Sequence, residues 1–491
     1  MKLNERFVCI AIDMGASNIR IMAGIFSNNQ LIYKELHRFG NEIREIEGHE
    51  RWDITSIFNK ILEGLEIAVS EFGDDIKSIG VDSWGDDFVL LDTNGELVEQ
   101  PVSYRDLRTE GMDSLWESLM NKRETFERTG INFYLFNTLL QLLSMREQGL
   151  PPGSANLLFI PNYISYMLCG VMRNELTISS TSQLLSVDSD GWDSKILDLL
   201  NIPQNLMGTN CHPGTILGEA NHEKLKDHSI KTVAVCNHDT ASAIVAVPAV
   251  DESFAFISTG TWCIVGMESP LPILTMEALN EGFTNERGYG NSFRFLKNTI
   301  GLWLVQGLMN EMPDDTSYEE VESLAIGSQG GKLIVPGDTS FYNPGKMKNA
   351  FDDFFRKTDQ KLPGDMVDYF RCAYDSLVYS FRYHIEKIEE MTGKSLTSIH
   401  LIGGGCRSKY LCSQTANICN RTVISGPVEA ATIGNIVVQA IALGEINGLP
   451  EARKLVRESF DVKTYEPVPD TNFYDREYNR FIKLRNQVLG L

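Results

Sequence analysis

The sequence predicts an α/β protein whose core is built twice, once in each half of the chain. Each half begins with two strand-like segments joined at a short polar tip, and each continues later with an amphipathic helix and a further strand. A chain of 491 residues is also long enough for two large domains. We therefore expect one domain over residues 1–245 and a second over 246–491.

The first half opens with an apolar run and then a segment of alternating apolar residues, the pattern of a buried strand and its hairpin partner. Downstream, apolar residues recur on one 3.6-residue face, and Asp53 and Thr55 are candidate N-caps of the resulting helix. The predicted elements are strands at 7–12, 19–25 and 31–36, a helix over 57–72 and a strand at 78–82.

The second half repeats this order with different spacing, so each half is expected to carry insertions. Its predicted elements are strands at 254–257 and 262–266, a helix over 366–391 and a strand at 398–402. The uncharged stretch at 157–172 is shorter than the ~20 residues of a membrane-spanning helix. Because Pro161 stands near its start, this stretch predicts a buried helix with the proline in its first turn.

Charge and cysteine content narrow the possible partners and the location. Lys and Arg number 44 against 66 Asp and Glu, which gives a net charge of −22. So acidic a surface repels phosphate backbones, and neither nucleic acid nor a membrane is an expected partner. The nine cysteines have no CxxC or zinc-ligand spacing, and the N-terminus runs into a strand pattern without an apolar signal segment. We therefore expect reduced cysteines and a cytoplasmic protein.

The tip of the first predicted hairpin, at residues 13–20, combines groups suited to a phosphate and its metal. Asp13 lies at the end of a strand, where a carboxylate can hold magnesium, usually through water. Gly15 and its small neighbours let backbone N–H groups approach a phosphate, and Arg20 supplies a fixed positive charge. An ordinary hairpin turn with Asp and Gly at its turn positions explains the same residues.

The second half offers a similar tip at residues 259–261, Thr-Gly-Thr, where hydroxyls and free amides suit a second phosphate contact. Alone it also fits a plain hairpin, but the two tips together describe a nucleotide held between two lobes. Three glycines at 403–405 follow a predicted strand and allow the backbone to approach a bulky group such as adenine and its ribose. They match neither a G-x-G-x-x-G motif nor a P-loop.

Two polar segments suit a sugar substrate. Asp239 follows an apolar strand, where an acid can take a proton from a substrate hydroxyl; a helix N-cap is the alternative interpretation. His238 beside it is either a substrate ligand or a hydrogen-bonded structural histidine. Trp84 stands beside Asp86 and Asp87, and an aromatic face next to carboxylates suits a sugar ring and its hydroxyls. A core tryptophan at a surface turn is the alternative there.

Taken as a set, these segments resemble the carbohydrate kinases named for their FGGY signature. The matches run in the family's order from Asp13 to about Asn435. The resemblance implies the duplicated actin-like ATPase fold, also called ribonuclease H-like, with two lobes around a central cleft. The matching motifs are VDSWGDDFVLLD at 81–92, YRDLRT at 104–109, NHDTASA at 237–243, STGTW at 258–262, LKNTIGLWLVQ at 296–306, GGGCRS at 403–408 and GPVEAATIGN at 426–435.

The resemblance also implies a role for individual residues. Asp239 is expected to act as the catalytic base and Asp13 to hold magnesium, with ATP as the phosphate donor. The expected sugar contacts are Trp84, Gly85, Asp87, His238, Thr240 and Asn298. The expected ATP contacts are Ala16, Ser17, Asn18, Ile19, Arg20, Thr261, Gln306 and Gly404.

The implied activity is ATP-dependent phosphorylation of a ketose at O1, with L-rhamnulose as the expected substrate and L-fuculose as the first alternative. The first domain is then expected to carry the sugar and the base, and the second to carry the nucleotide. The sequence departs from the family pattern at Asn18-Ile19, where Ser-Gly is usual, and at Asp86, where an apolar residue is expected. A filament-forming or sugar-sensing actin-like protein is an alternative of a different class, and it needs no base. We expect a monomer or a small homo-oligomer.

Overall fold

The computed structural model describes residues 6–313, 315–470 and 472–490. Its strands are β1 (Phe7–Met14), β2 (Asn18–Ser27), β3 (Gln30–Gly40), β4 (Ile43–Ile46), β5 (His49–Trp52), β6 (Ile76–Ser83), β7 (Phe88–Leu91), β8 (Asn156–Phe159), β9 (Asn174–Glu175), β10 (Asn210–Cys211), β11 (Thr215–Glu219), β12 (Lys231–Ala234), β13 (Phe254–Thr259), β14 (Trp262–Ser269), β15 (Thr284–Arg287), β16 (Phe293–Ile300), β17 (Ser398–Gly403), β18 (Thr422–Ser425) and β19 (Lys463–Tyr465). Its α-helices are α1 (Ile54–Phe72), α2 (Met112–Leu119), α3 (Lys122–Thr129), α4 (Thr138–Gln148), α5 (Ile160–Cys169), α6 (Leu176–Thr181), α7 (Ser194–Leu200), α8 (Asp239–Val245), α9 (Met276–Asn280), α10 (Trp303–Met309), α11 (Tyr318–Gly327), α12 (Met347–Lys357), α13 (Met366–Thr392), α14 (Lys409–Cys419), α15 (Ala430–Ala442), α16 (Leu449–Ser459) and α17 (Asn472–Leu489).

The described residues form two compact units. The first contains the residues up to Ala246 together with Glu268–Phe295 and Ala430–Ser459. The second contains Val247–Met267, Leu296–Glu429 and the residues from Phe460 onward. The first unit thus includes two segments from beyond residue 245, which the sequence assigned to the other domain. The functional division of the chain into 1–245 and 246–491 stays a prediction.

The first unit is built around a six-stranded sheet in the order β11-β12-β6-β1-β2-β3. β1 pairs antiparallel with β2 and parallel with β6, and β12 lies parallel to β6 on its other side. Every residue of β1 is buried, which is typical of a central strand covered on both faces. Because β1, β6 and β12 are parallel, their carboxyl ends meet at one edge of the sheet.

Helix α1 covers β1, β2 and β3, and the sequence explains where it starts and which face it buries. Asp53 is its N-cap and accepts a hydrogen bond from the Ser56 backbone N–H at 3.0 Å. Ile57, Ile61 and Leu65 lie on its buried face at helical spacing. The predicted helix and its Asp53 cap are confirmed.

The second unit repeats the strand arrangement of the first. β13 pairs antiparallel with β14 and parallel with β17, and β17 lies parallel to β18. β19 then pairs antiparallel with β18, as β11 does with β12 in the first unit. Helix α13 covers the predicted helical segment 366–391. The duplicated α/β core is therefore confirmed.

Residues 157–172 form a strand and a helix, whereas the sequence predicted a helix alone. The first apolar residues belong to β8, which pairs antiparallel with β7. Helix α5 begins at Ile160 and has Pro161 in its first turn, where the missing N–H of proline costs no intrahelical bond. The prediction of a buried helix with this proline is correct from Ile160 onward.

The thiols and the helices bear on two further expectations. All nine cysteines are free thiols, and eight of them are buried. Among the helices that the structure describes, none is both long and apolar enough to cross a membrane.

Candidate active site

Three aspartates meet at the edge of the first unit's sheet where the parallel strands end. Asp13 of β1 stands opposite Asp82 of β6 in the strand register. Asp239 is the first residue of α8, which follows β12, and residues 83 and 238 form an isolated parallel bridge. The charges of Asp13 and Asp239 both act on Asp82. The sheet therefore brings together the predicted metal ligand, the predicted base and a third acid.

Asp13 is paired within the first unit. Its Oδ2 accepts a hydrogen bond from the Arg20 guanidinium at 2.6 Å and from the Thr432 hydroxyl at 2.6 Å. Thr432 lies on α15, which packs against β1 and β6. Arg20, predicted to hold phosphate, and Asp13, predicted to hold magnesium, are thus in direct contact, and Arg20 balances the carboxylate charge.

Asp82 is a further functional candidate, although the sequence pattern predicts it only as the last residue of a strand. It is fully buried, and its Oδ2 accepts a hydrogen bond from the Asn435 amide. Its Oδ1 has no hydrogen-bond partner within the part of the chain that the structure describes. Burial, followed by the neighbouring charge of Asp13, raises the pKa of Asp82 well above its ordinary value. Because burial and a neighbouring acid disfavour its negative charge, the Asp82 carboxylate is stabilised when it binds a proton or a cation.

Asp239 is the most accessible of the three acids, with a side chain that is 34% exposed. Helix α8 begins at Asp239 itself and has His238 at its N-cap position, so the N-cap interpretation of Asp239 is wrong. His238 Nε2 lies 3.5 Å from Asp239 Oδ1, and the Thr240 hydroxyl donates to the same oxygen at 3.1 Å. Burial raises the pKa of Asp239 against the opposing effect of His238.

His238 is fixed on its other side by a buried ion pair. Its Nδ1 lies 3.2 Å from Glu286 Oε2 and 3.1 Å from an Arg294 guanidinium nitrogen. Arg294 donates to the same Glu286 oxygen at 2.7 Å. Burial opposes ionisation of Glu286, but Arg294 and His238 outweigh it and lower the pKa of Glu286 to about 2. Neither residue is predicted as a site residue from the sequence, because both lie far along the chain from His238, on β15 and β16.

Glu175 holds the backbone that leads into α8. Its carboxylate accepts hydrogen bonds from the N–H groups of Thr177, at 2.9 Å, and Asn237, at 3.0 Å. The Thr177 hydroxyl in turn accepts from the His238 N–H at 3.3 Å. Burial raises the pKa of Glu175 to about 7. Glu175 is therefore a positioning residue for the segment that carries Asp239, and no sequence pattern singled it out.

Trp84 and Asp87, two of the predicted sugar contacts, are bonded to each other inside the protein. Asp87 Oδ2 accepts from the indole N–H of Trp84 at 2.9 Å and from that of Trp52 at 2.7 Å. The Trp84 ring, only 6% exposed, packs against Trp52 with their centroids 4.6 Å apart. Burial raises the pKa of Asp87 to about 6. Contact of these two residues with a sugar stays a prediction.

The tip of the first hairpin is a compact turn. The Gly15 N–H donates to the Asn18 carbonyl at 2.9 Å, and the Asn41 side chain donates to the Gly15 carbonyl at 3.1 Å. Ser17 is exposed, and Ala16 is half-buried. The Ile19 side chain is fully buried in the core, so it does not reach a ligand.

The second unit brings two predicted ATP contacts together at its own hairpin tip. The Thr261 hydroxyl donates to Gln306 Oε1 at 3.2 Å. The tip is held by main-chain bonds from the turn that precedes α10, with the Leu302 N–H donating to the Gly260 carbonyl at 2.9 Å. Asn298, a predicted sugar contact, lies half-buried on β16.

The three glycines at 403–405, where β17 ends, differ in what surrounds them. A Cβ on Gly403, whose φ is +81°, would lie 2.6 Å from the Thr259 carbonyl oxygen, and a Cβ on Gly405 would lie 2.7 Å from the Thr259 hydroxyl. A Cβ on Gly404 would meet no described heavy atom within 4 Å. Gly403 and Gly405 are therefore required for packing on β13, whereas Gly404 faces open space.

The acids of the first unit suit a magnesium ion that arrives with a nucleotide. Magnesium is usually bound by one or two carboxylates together with substrate phosphates and water. Asp82 Oδ1 is buried and unpartnered among the described residues, and Asp13 lies opposite it. No cluster of three or more His, Cys, Asp or Glu side chains in the described ranges forms a metal cage. The donors thus fit a metal shared with phosphates.

Comparison with known proteins connects this architecture to a family. The model of the N-terminal domain of the FGGY family of carbohydrate kinases matches residues 8–246, and that of the C-terminal domain matches residues 255–443. A rhamnulokinase from Enterococcus faecalis is 35% identical over 98% of each chain. Another from Bacillus subtilis is 36% identical over 93% of this chain and 95% of its own.

Solved structures agree on the fold. A ligand-bound xylulose kinase from Lactobacillus acidophilus covers 98% of each chain with a TM-score of 0.83 at 15% identity. A Plasmodium falciparum glycerol kinase with ADP covers 98% of this chain and 97% of its own with a TM-score of 0.81 at 16% identity. The predicted actin-like ATPase fold is confirmed, and the protein belongs to the FGGY family of carbohydrate kinases as a sugar kinase.

Proposed function

We propose that this kinase transfers the γ-phosphate of ATP to O1 of L-rhamnulose and releases L-rhamnulose 1-phosphate and ADP. The sugar is supported by the curated relatives named rhamnulokinase, which are 35–37% identical over almost the whole chain. The chemistry is supported above all by the accessible Asp239, which contacts His238 and stands at the strand ends that carry Asp13 and Asp82.

Asp239 is the proposed catalytic base. Its carboxylate takes the O1 proton while O1 attacks the γ-phosphorus, so the O1–P bond forms as the bond from phosphorus to the bridging oxygen of ADP breaks. Burial raises the pKa of Asp239, which makes its carboxylate a better proton acceptor than a free aspartate. Its partly exposed side chain leaves the sugar hydroxyl a direction of approach.

The proposed sugar contacts divide into two groups. His238, Thr240, Gly85 and Asn298 are proposed to bind hydroxyls directly, and the ion pair of Glu286 with Arg294 gives the His238 ring a fixed orientation. Trp84 and Asp87 are proposed to shape the wall of the sugar site, because their polar atoms already bond to each other.

The proposed nucleotide contacts rest on charge and on the small residues of the two hairpin tips. Arg20 and the turn Ala16–Ile19 are proposed to hold phosphate oxygens, with Ile19 acting through its main chain. Thr261, Gln306 and Gly404 are the other proposed ATP contacts. Asp13 and Asp82 are the residues that would hold magnesium, which neutralises phosphate charge when it is bound with ATP.

A ketose panel tests the substrate. Initial rates of ADP formation would be measured with L-rhamnulose, L-fuculose and L-xylulose, and phosphorus NMR would identify the carbon that carries the new phosphate. We expect the largest kcat/KM for L-rhamnulose and a 1-phosphate product. The Asp239→Asn protein, purified in the same way, shows how much of the signal comes from a contaminating kinase. A larger kcat/KM for L-fuculose would replace the proposed sugar.

A further inference from the structure

Asp86 is a buried acid next to Gly85 that the proposed mechanism does not use. The residue is 8% exposed, and its Oδ1 has no hydrogen-bond partner in the described ranges of the chain. Its φ is +71°, a left-handed conformation. Asp adopts this conformation more readily than most residues, but a turn alone would be served as well by Gly or Asn. The conformation therefore does not explain why a carboxyl group is buried here.

The main chain of Asp86 is held firmly, which fixes the direction of its side chain. The Asp86 N–H donates to the Thr181 hydroxyl at 3.2 Å. Its carbonyl accepts from the Thr138 hydroxyl at 2.7 Å and from the Gln141 amide at 3.4 Å. These three side chains come from α4 and α6, so two helices support the strained residue. Such support is typical of a side chain that is kept in place for a ligand.

The carboxyl of Asp86 is surrounded by other acids of the first unit. Burial, and then the charges of Asp87 and Glu286, raise the pKa of Asp86 well above its ordinary value. Glu286 is the acid that holds His238 from the side away from Asp239. Asp86 directly follows Gly85, a proposed sugar contact, and Ser83 of the same segment pairs with His238 in a parallel bridge, so Asp86 borders the proposed sugar site.

We propose that the Asp86 carboxyl forms a hydrogen bond with the C4 hydroxyl of the ketose and makes Asp86 a specificity-determining residue. This inference rests on the proposed ketose kinase activity. A buried polar group without a partner is unfavourable, and a sugar hydroxyl, which both donates and accepts, satisfies it. A ketose that lacks that hydroxyl, or carries it in the opposite configuration, leaves the carboxyl unsatisfied and is discriminated against.

Four ketoses test this proposal, because they vary the configuration at C4 and the hydroxyl on C6 independently. L-rhamnulose and L-fuculose are 6-deoxy sugars that differ at C4, and L-fructose and L-tagatose are their counterparts with a hydroxyl on C6. We expect Asp86→Val to lower kcat/KM roughly ten- to hundredfold for the two ketoses with the C4 configuration that the wild type prefers, and to change the two C4 epimers less than threefold. The spread of kcat/KM across the four sugars then narrows.

Two further variants separate recognition from folding. Asp86→Asn keeps the shape and can both donate and accept, so we expect it to retain most of the wild-type preference. Asp74→Asn removes an exposed acid and is expected to leave all four values unchanged. An equal loss on all four sugars in Asp86→Val, or an unchanged spread of kcat/KM across them, would overturn the proposal. If the wild type prefers a sugar other than L-rhamnulose, the proposed substrate fails, while Asp86 is still judged by the narrowing of the spread.

Discussion

The two units use the same strand arrangement to present opposite chemistry at the same place. In the first unit, Asp13 stands opposite Asp82 where the hairpin strand and its parallel neighbour end. At the end of the corresponding strand pair in the second unit, Thr259 stands opposite Gly403. One edge therefore concentrates negative charge. The other carries an uncharged threonine, whose hydroxyl donates to the Ile402 carbonyl, and glycines without side chains. The topology creates the same kind of edge in both units. The residues at each edge determine whether it carries charge or lets another group come close to the backbone.

This difference has an energetic consequence. The acids of the first unit are buried at the expense of stability, as the raised pKa of Asp82 indicates, and they are offset by partners such as Arg20 and Arg294. The glycines of the second unit impose a steric requirement, because Thr259 leaves no room for side chains at Gly403 and Gly405. Substitutions of the acids in the first unit should therefore change turnover and the electrostatic contribution to stability. Substitutions of the glycines in the second unit should change packing and the KM for ATP.

The largest expected effect is at Asp239. Asp239→Asn removes the base and should lower kcat by about 10²–10⁴. Sugar binding should survive, because the amide keeps the size of the side chain; equilibrium binding of the ketose measures this. Asp227→Asn, at an exposed acid, is the matched control and should be neutral. Near-normal turnover of Asp239→Asn would show that Asp239 is not the catalytic base. The first unit would then differ from the second in charge but not in carrying the base.

The second prediction concerns the buried ion pair behind His238. Glu286→Gln leaves the Arg294 charge buried without its partner and should lower the free energy of unfolding by about 3–5 kcal/mol at pH 7. Glu286 stays ionised in the folded protein down to about pH 2, against an ordinary pKa of 4.5. Its stabilising effect is complete above the ordinary pKa and is lost as the pH falls toward 2.

Urea unfolding of the wild type and of Glu286→Gln at pH 7 and pH 3 checks this expectation. The gap in stability between the two proteins should be large at pH 7 and smaller at pH 3. Equal gaps at the two pH values would mean that the charge of Glu286 does not carry the effect.

The hairpins, helices and strands of both cores could be predicted from the sequence, because apolar periodicity is a local signal. Asp13 and Asp239 could be chosen for the same reason, since each follows an apolar strand. Glu175, Glu286 and Arg294 could not, because their roles depend on contacts between distant segments. The inclusion of Glu268–Phe295 and Ala430–Ser459 in the first unit escaped prediction for that reason too. The burial of the Ile19 side chain, by contrast, could be predicted from the sequence, because the alternation of apolar residues in its strand places that side chain on the buried face.

The third prediction separates two adjacent glycines of the second unit. Gly403→Ala puts a Cβ 2.6 Å from the Thr259 carbonyl oxygen at a φ of +81°, and should destabilise the fold by about 1–3 kcal/mol. Gly404→Ala places its Cβ in open space and should leave the melting temperature unchanged while it raises the KM for ATP. Thermal melts and ATP kinetics on both variants check the pair. A Gly403→Ala protein as stable as the wild type would contradict the packing role of Gly403. An unchanged KM for ATP in Gly404→Ala would contradict the proposed contact of Gly404 with ATP.

The smallest expected effect is at Thr261. Its hydroxyl donates to Gln306 at 3.2 Å, and Thr261→Val replaces it with a methyl group of similar size. If that hydroxyl contacts a phosphate oxygen, the KM for ATP should rise about five- to tenfold, as expected for the loss of one hydrogen bond of about 1 kcal/mol. The KM for the ketose should stay constant, because the change lies in the unit proposed to carry the nucleotide. Thr261→Ser keeps the hydroxyl and should behave like the wild type. A rise in the KM for the ketose with an unchanged KM for ATP would contradict the proposal that the second unit carries the nucleotide and the first unit the sugar.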